Sequence, residues 1–470
     1  MRPPRRFQPK NFLDQQRARI SKRTKYMKTT FEGVAQKKLA HENPSNTNSV
    51  AIVGLGYVGL PLALQADQHG FYVAGIDIDA GHIEALKTHN APSFLNDREK
   101  QYAHGHTMKV SSNPEVAASV STIIICVPTP VSHDHLPDLR PLISACESIA
   151  PYIKKDTLVV VESTVNPGIC DEVVLPILSE GSGLTPEKDF LFAYCPERIN
   201  PGDSTWDVRT IPRVLGAIGP KSQKRALEVY SKLIQAPIYP LENVKEAEAV
   251  KITENSFRDV NIAFINELAM SFKKLGIDIE HVIAGASTKP FGFLAHHPSC
   301  GVGGHCIPVD PYYLIAYAKQ NGFTHLFLET ARDINNNMPN YTISLLEQAL
   351  TAKHKKLPGS KIALLGRAYK KDIPDVRESP AIIMEKELMR RGAIVRSFDP
   401  LVPSTSSVHS LEEALHNADA AIIATDHSVF CELTPKDFAR RNVDIVIDGK
   451  NCLNKESFTK TTIVYHGIGR

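Results

Sequence analysis

Residues 50–79, VAIVGLGYVGLPLALQADQHGFYVAGIDID, read as a strand, a glycine turn, a helix and a second strand. Gly54, Gly56 and Gly59 stand in G-x-G-x-x-G spacing between the first strand and a helix that starts near Leu60. In that spacing the first glycine permits the tight turn. The second lets a pyrophosphate approach the backbone, and the third allows close helix–strand packing. Backbone N–H groups at the helix start then meet the phosphates. Asp77, 18 residues past Gly59, closes the next strand, where a carboxylate binds ribose hydroxyls and repels a 2′-phosphate. The expected cofactor is therefore NAD rather than NADP.

Outward from this unit, further strand-like runs follow at 120–130 (VSTIIICVPTP), 156–164 (DTLVVVEST), 190–198 (FLFAYCPER) and 211–219 (IPRVLGAIG), with helical stretches between them. That alternation predicts a mostly parallel sheet covered by helices on both faces. From Glu246 the pattern changes to one long helical segment, closed by Gly276. A glycine- and histidine-rich loop follows at 291–311, then more helix to about His354. After a linker at 355–360, strand and helix alternate again to the C-terminus, without a strict glycine fingerprint. The expected fold class is α/β, two Rossmann-like doubly wound domains joined by a long central helix and a helical region. The expected boundaries are a basic extension at 1–48, a dinucleotide domain at 49–245, a central helical domain at 246–354, and a second α/β domain at 355–470, suited to a nucleotide-like partner.

Composition narrows the function classes. At 470 residues the chain divides into about three units. No apolar run reaches the roughly 18 residues that span a bilayer, and the N-terminal sequence lacks the apolar segment of a secretory signal. Eight cysteines without paired spacing fit reduced thiols in a cytoplasm. Residues 1–50 hold 12 Lys/Arg against three acids, leaving the other 420 net negative. Few aromatics and no nucleic-acid-binding motif accompany that arm, so it reads as a solvated extension, and neither nucleic acid nor membrane is expected as a partner.

Three further groups carry chemistry. Gly303-Gly304-His305-Cys306-Ile307-Pro308-Val309-Asp310 puts a cysteine beyond a glycine pair, with a carboxylate four residues on. A thiolate nucleophile needs such access and an activating neighbour, although an isolated cysteine is more often a small buried residue. His296, His297, Cys300, His305 and Cys306 offer a zinc alternative, but their spacing matches no familiar tetrahedral site, and no metal is expected. On the long helix, Lys251, Asn255 and Arg258 follow i, i+4, i+7 spacing and share a face, where lysine and asparagine can donate to a developing oxyanion. Val127–Pro130, Glu162–Thr164 and Cys195–Arg198 close strands at one sheet edge, where α/β folds collect ligand contacts. Tyr369–Asp372 and Arg377–Pro380 set cations near a strand end and a helix start, suited to a diphosphate.

GLGYVG, VPTP, EST, CPERINPGD, KITENSFRD, GGHCIPVDP and DVRESPA, in this order from about Ser49 to the C-terminus, resemble the UDP-glucose/GDP-mannose dehydrogenase family. The resemblance implies a homodimer built on the central helix. It also implies two hydride transfers to two NAD molecules, which turn the C6 alcohol of a UDP-hexose into a carboxylate. By position it makes Cys306 the nucleophile of a thiohemiacetal and then a thioester. Lys251 and Asn255 become oxyanion stabilisers, and Asp310 a group that orients water or accepts a proton. Glu197 becomes the carboxylate assisting hydrolysis, with Thr129 near cofactor and reaction centre. Tyr57, Val58, Asp77, Thr129 and Thr164 fall on cofactor-contact positions. Arg198, Ile199, Arg258, Tyr369, Lys370 and Arg377 fall on substrate-contact positions.

Two departures bear on the substrate. Members acting on UDP-glucose often carry a second acid where this chain has Pro201. That run and Ser287–Phe293, with Phe291 as a further substrate-contact candidate, look more like the branch acting on UDP-N-acetylhexosamines. UDP-N-acetylglucosamine is thus favoured over UDP-N-acetylmannosamine, UDP-glucose or GDP-mannose. Cys300 replaces a residue that this branch keeps small. A two-electron β-hydroxyacid dehydrogenase would share the first domain and a catalytic lysine, but would have no use for Cys306 or a second α/β domain. A non-catalytic scaffold acting through the basic arm would leave the Lys251, Asn255, Cys306 and Asp310 arrangement without a purpose.

Overall fold

The computed structural model describes residues 48–92, 94–132, 136–199 and 206–470. Residues 1–47 of the basic extension and Pro201 lie outside the described residues.

Apolar runs with little alternation form strands buried on both faces, as a covered parallel sheet requires. In the first domain these are β1 (Ser49–Val53), β2 (Tyr72–Ile76), β3 (Lys109–Ser111), β4 (Thr122–Ile125), β5 (Leu158–Val161), β6 (Leu191–Tyr194), β7 (Arg213–Ala217) and β8 (Ile238–Pro240). Their order is β3-β2-β1-β4-β5-β6-β7-β8, and only β6–β7 pairs antiparallel. Val50 and Ile52 enter one core layer while Ala51 and Val53 enter the other, so β1 is packed on both sides. The strand order reverses between β1 and β4, which opens a crevice at their C-terminal ends. The turn from β1 into α1 (Gly59–Gln68) lies at that crevice. Helix α2 (Pro220–Leu233) packs against the far part of the sheet.

The second domain contains β9 (Lys361–Leu365), β10 (Ile394–Phe398), β11 (Ala420–Ile423), β12 (Ile445–Asp448) and β13 (Val464–Gly467), all parallel in the order β10-β9-β11-β12-β13. This is the shorter doubly wound order, with its switch between β9 and β11. The α/β class with two Rossmann-like domains is therefore as expected.

Helix α3 (Val244–Lys274) joins the two. Asn243 caps its start by accepting the Glu246 N–H, and Gly276 at φ +71° ends it. At 1.5 Å per residue its 31 residues span about 46 Å. Val244 and Ala247 belong to the first domain's core, whereas Ile265 and Ala269 belong to the second's. Helix α4 (Asp310–Gln320) follows the cysteine loop, and α5 (Leu326–Ala352) runs against α3. Buried polar bonds fix the α3–α5 register. Arg332 donates to Asp259 at 2.5 Å, Asn335 to Asp259 at 2.8 Å, and Asn266 to Asn335 at 2.9 Å. Helix α6 (Pro380–Arg390) begins beside the cysteine loop, capped by Ser379. Among the described residues, no helix is long and apolar enough to cross a membrane.

Candidate active site

The glycine turn separates the three roles its spacing implies. Gly54 takes φ +90°, and a Cβ there would meet the Cys126 carbonyl oxygen at 2.7 Å. A Cβ on Gly59 would fall 1.9 Å from the Gly54 carbonyl oxygen, so only glycine lets α1 start this close to β1. Gly56 is exposed, with nothing within 4 Å of where its Cβ would lie. No side chain caps the first turn of α1, after Tyr57 and Val58. Open space over a glycine at an uncapped helix start is a cradle for a pyrophosphate, and these residues fit NAD. Asp77 has a second task. Its carboxylate accepts the Leu55 N–H at 2.8 Å and the Asp79 N–H at 3.0 Å, bracing the turn from the end of β2.

The loops after β4, β5 and β6 meet along the same edge. Thr129 Oγ1 donates to the Thr164 carbonyl at 2.7 Å, and Ser163 Oγ to the Val127 carbonyl at 2.7 Å. Glu197 follows β6; its carboxylate accepts the Ile199 N–H and lies 3.9 Å from Arg213 Nη1. Tyr313, on α4, donates to the Thr129 carbonyl and lies 3.2 Å from the Pro130 carbonyl. This buried phenol ties the helix after the cysteine loop to the first domain. Tyr313 stands three residues past Asp310 in the sequence, but its partners lie more than 180 residues away.

Lys251, Asn255 and Asp310 are all buried, and Asn255 Nδ2 donates to Asp310 Oδ2 at 2.5 Å. Asp310 opens α4, and its N–H donates to the Cys306 carbonyl at 2.8 Å. Burial pushes the Asp310 carboxyl up to about 6, against the opposing pull of Lys251 and Asn255. Burial likewise pushes the Cys306 thiol up to about 12; Asp310 and Glu197 add to this, while Lys251 and Arg377 oppose it. The thiol is thus protonated at neutral pH, among two carboxylates and two cations. His305 is held down to about 4, first by burial and then by Arg377, and so is neutral.

The glycines before Cys306 answer to the second domain. A Cβ on Gly303 would sit 2.6 Å from Tyr369 Cβ, and one on Gly304 would sit 2.8 Å from the Tyr369 ring. The Gly304 N–H donates to the Arg377 carbonyl at 3.0 Å. The glycine pair seats Tyr369. Burial, then Asp375 and Cys306, pushes the Tyr369 phenol up to about 12. Arg377 lies 5.3 Å over the Tyr57 ring, so the glycine turn, the cysteine loop and the second domain converge. Arg377 is paired with Asp375 at 2.5 Å. Lys370 lies just after Tyr369, partly buried.

Other expected contacts are less closely gathered. Arg198 is ion-paired with Glu254, the neighbour of Asn255, and donates to the Pro212 carbonyl at 2.8 Å. Arg258, expected to share the face of Lys251 and Asn255, is exposed. Phe291 remains on the surface at 70% exposure, with Lys289 Nζ 4.9 Å from its ring centre. Cys300 is accommodated: its N–H donates to the Gly449 carbonyl at 2.8 Å, and Gly449 leaves room for the thiol. Three of the residues in the zinc alternative turn to separate partners: His296 Nδ1 lies 2.9 Å from the Leu294 carbonyl. His297 faces Glu280 at 2.8 Å and Cys300 faces the Ala424 carbonyl at 3.4 Å. Among the described residues, no group of three or more side chains could hold a metal ion.

Comparison with known proteins identifies three matched segments. Residues 48–234 match the NAD binding domain of the UDP-glucose/GDP-mannose dehydrogenase family, 245–337 its central domain and 363–455 its UDP binding domain. A UDP-N-acetyl-D-glucosamine 6-dehydrogenase of Pseudomonas aeruginosa is 37% identical, over 81% of this chain and 91% of its own length. A UDP-N-acetyl-D-mannosamine dehydrogenase of Pyrococcus horikoshii is 35% identical, over 90% of this chain and 99% of its own. A solved structure of the UDP-D-ManNAc dehydrogenase from Pyrococcus horikoshii superposes with a TM-score of 0.83 at 34% identity, covering 90% of this chain and 99% of that one.

Proposed function

The chain belongs to the UDP-glucose/GDP-mannose dehydrogenase family and is an NAD-dependent UDP-sugar dehydrogenase; from that premise we propose that it oxidises C6 of UDP-N-acetylglucosamine to the uronate in two steps through Cys306. The observation that carries this reading is the buried Lys251–Asn255–Asp310 group beside Cys306, at the seam where Tyr57, Tyr369 and Arg377 meet.

Bound NAD supplies the acceptor for the hydride lost in each oxidation. The protein supplies the rest. Asp310, poised near pH 6, takes up a proton as the first alcohol is oxidised. The Cys306 sulfur adds to the aldehyde carbon as its thiol proton passes to the carbonyl oxygen, and the thiohemiacetal so formed keeps a reactive product from escaping. Lys251 and Asn255 donate to that oxygen as negative charge develops on it during the addition and again as it gives up its proton in the second oxidation. After the second oxidation the acyl group is a thioester; Glu197 accepts a proton from the water that cleaves it. Thr129 and Thr164 border the cofactor, with Tyr57, Val58 and Asp77. Arg198, Ile199, Arg258, Phe291, Tyr369, Lys370 and Arg377 are proposed to hold the UDP-sugar, with the Arg377 pair to Asp375 opening for the diphosphate.

The substrate choice rests on the likeness to a UDP-N-acetylglucosamine enzyme at 37% identity. UDP-N-acetylmannosamine is the second reading, favoured by the Pyrococcus horikoshii likeness over 90% of this chain. We further propose a homodimer. Phe257 and Phe264 on α3 and Leu326 and Phe327 on α5 are 50%, 52%, 71% and 69% exposed, an apolar surface suited to a second copy. Eight free cysteines suit a cytoplasmic setting. The test is NADH formed per sugar consumed, across UDP-glucose, UDP-N-acetylglucosamine and UDP-N-acetylmannosamine. Two NADH per molecule of UDP-N-acetylglucosamine is the expected result; one NADH per turnover would overturn the two-step reading.

A further inference from the structure

Arg213 heads a strand whose other residues, Val214 to Ala217, carry no charge, yet it is fully buried. A guanidinium stays charged at any working pH, and burying one without partners is strongly unfavourable. Its charge is shared between two acids. Nη1 lies 3.4 Å from Glu162 Oε2 and 3.9 Å from Glu197 Oε1, and it donates to the Pro196 carbonyl at 3.3 Å. Glu162 is buried as well and accepts the Tyr230 hydroxyl at 2.5 Å. The ends of β5 and β6, the start of β7, and α2 therefore converge on one cation.

The two acids are not equivalent. Glu162 is closed in by Arg213 and Tyr230, and burial raises its carboxyl. Glu197 lies on the open side, near enough to act on Cys306. The charged or titratable groups around Glu197 are Arg213 from β7, Glu162 from β5, Cys126 from β4, Cys195 on its own loop, and Cys306 from the cysteine loop. Arg213 is the cation among them. Its Nε and Nη2 are buried without a partner among the described residues, so the fork has donors left over.

We propose that Arg213 is a positioning residue which, from beneath the sheet edge, holds the Pro196–Glu197 turn and aims the Glu197 carboxylate for hydrolysis of the acyl group on Cys306. This rests on the roles given above to Glu197 and Cys306. In that step a water oxygen bonds to the acyl carbon, the C–Sγ bond breaks, and Glu197 takes the water's proton. Arg213 touches no reacting atom. It acts through its bond to the Pro196 carbonyl and its 3.9 Å approach to the Glu197 carboxylate.

The test compares Arg213→Gln, Arg213→Lys and Glu197→Gln, with NAD and the UDP-sugar that the wild type turns over. Readouts are the rapid NADH burst, the steady-state kcat and KM, and the intact mass of quenched protein. Arg213→Gln should keep the burst, lower steady-state kcat about 100-fold at unchanged KM, and accumulate an acyl adduct on Cys306. Arg213→Lys should restore part of the rate at unchanged KM. Burst and steady state falling together in Arg213→Gln, with no adduct on Cys306, would overturn the proposal. If Arg213→Gln does not fold, Arg213→Lys decides: hydrolysis at the wild-type rate with no adduct overturns it. An adduct that accumulates in Glu197→Gln but in neither Arg213 variant sinks the Arg213 role alone. No adduct even in Glu197→Gln sinks the underlying Cys306–Glu197 reading.

Discussion

Asp310 beside the cysteine loop and Asp399 past β10 are both buried, at 3% and 0% exposure, yet they are pushed in opposite directions. Asp399 is surrounded by donors. Its carboxylate accepts the N–H groups of Arg367 at 2.7 Å, Ala368 at 2.8 Å and Leu401 at 2.9 Å, and faces His427 Nε2 at 3.0 Å. Burial works against the charge, but these donors outweigh it and hold the carboxyl down at about 2. Asp310 has the Asn255 amide and the nearby Lys251, and there burial wins, at about 6. One carboxylate is saturated and ties the second domain's strand ends together. The other keeps lone pairs free in a dry place, where a proton can be moved near neutral pH.

The largest test of that contrast removes the group Asp310 serves. Cys306→Ser should abolish uronate formation while NAD binding, measured by calorimetry, stays as in the parent. Full activity in that variant would end the covalent reading and leave Asp310 no thiol to assist. Next comes Asp310→Asn, expected to lower kcat by about 100-fold to 1,000-fold. Its melting temperature at pH 7.5 should be no lower than the parent's, since an ionised carboxylate has left a poorly solvating place. Asp399→Asn should do the reverse. About 2 kcal/mol of stability goes with the depressed carboxyl, read by urea unfolding, while turnover per folded molecule is kept. If both variants lost stability and neither lost rate, the two carboxylates would be alike and the contrast would fail.

The sequence was legible where a local pattern has one physical solution. Three glycines between a buried strand and a helix leave little choice, and their three roles are separated at Gly54, Gly56 and Gly59. The α/β alternation likewise led to two doubly wound sheets. The helix face was half legible: i, i+4, i+7 spacing groups Lys251 and Asn255, but it is silent on which part of that face other segments cover, and Arg258 is exposed. Least legible were contacts between distant segments. Gly303 and Gly304 read as a loop that displays a cysteine, whereas their tightest contacts are with Tyr369, 66 and 65 residues on. The ion pair of Arg198 with Glu254 likewise crosses 56 residues. Arg213 and Tyr313 looked like ordinary strand and helix residues, because their partners lie on other elements.

The smallest effect is the most discriminating, because the two carboxylates should bend the stability–pH curve in opposite senses. Asp399 is depressed, so its contribution is fully present above about pH 4 and is lost as pH falls through about 2. Asp310 is raised, so the folded state holds its proton where the unfolded chain has released it, and stability declines as pH rises from about 4 to about 6. Each slope is at most about 1.4 kcal/mol per pH unit, the limit for one proton. Unfolding free energies measured from pH 2 to 8 should show Asp310→Asn flattening the limb between about 4 and 6. Asp399→Asn should flatten the limb below about 4. Turnover should fall below about pH 6 in the parent, so the ionised Asp310 that activity requires is the form that burial opposes. An Asp310→Asn curve with the parent's slope between 4 and 6 would mean that this carboxyl titrates as it does in the unfolded chain. Its free lone pairs would then have to be solvated from the site itself, and the contrast with Asp399 would rest on hydrogen-bond count alone.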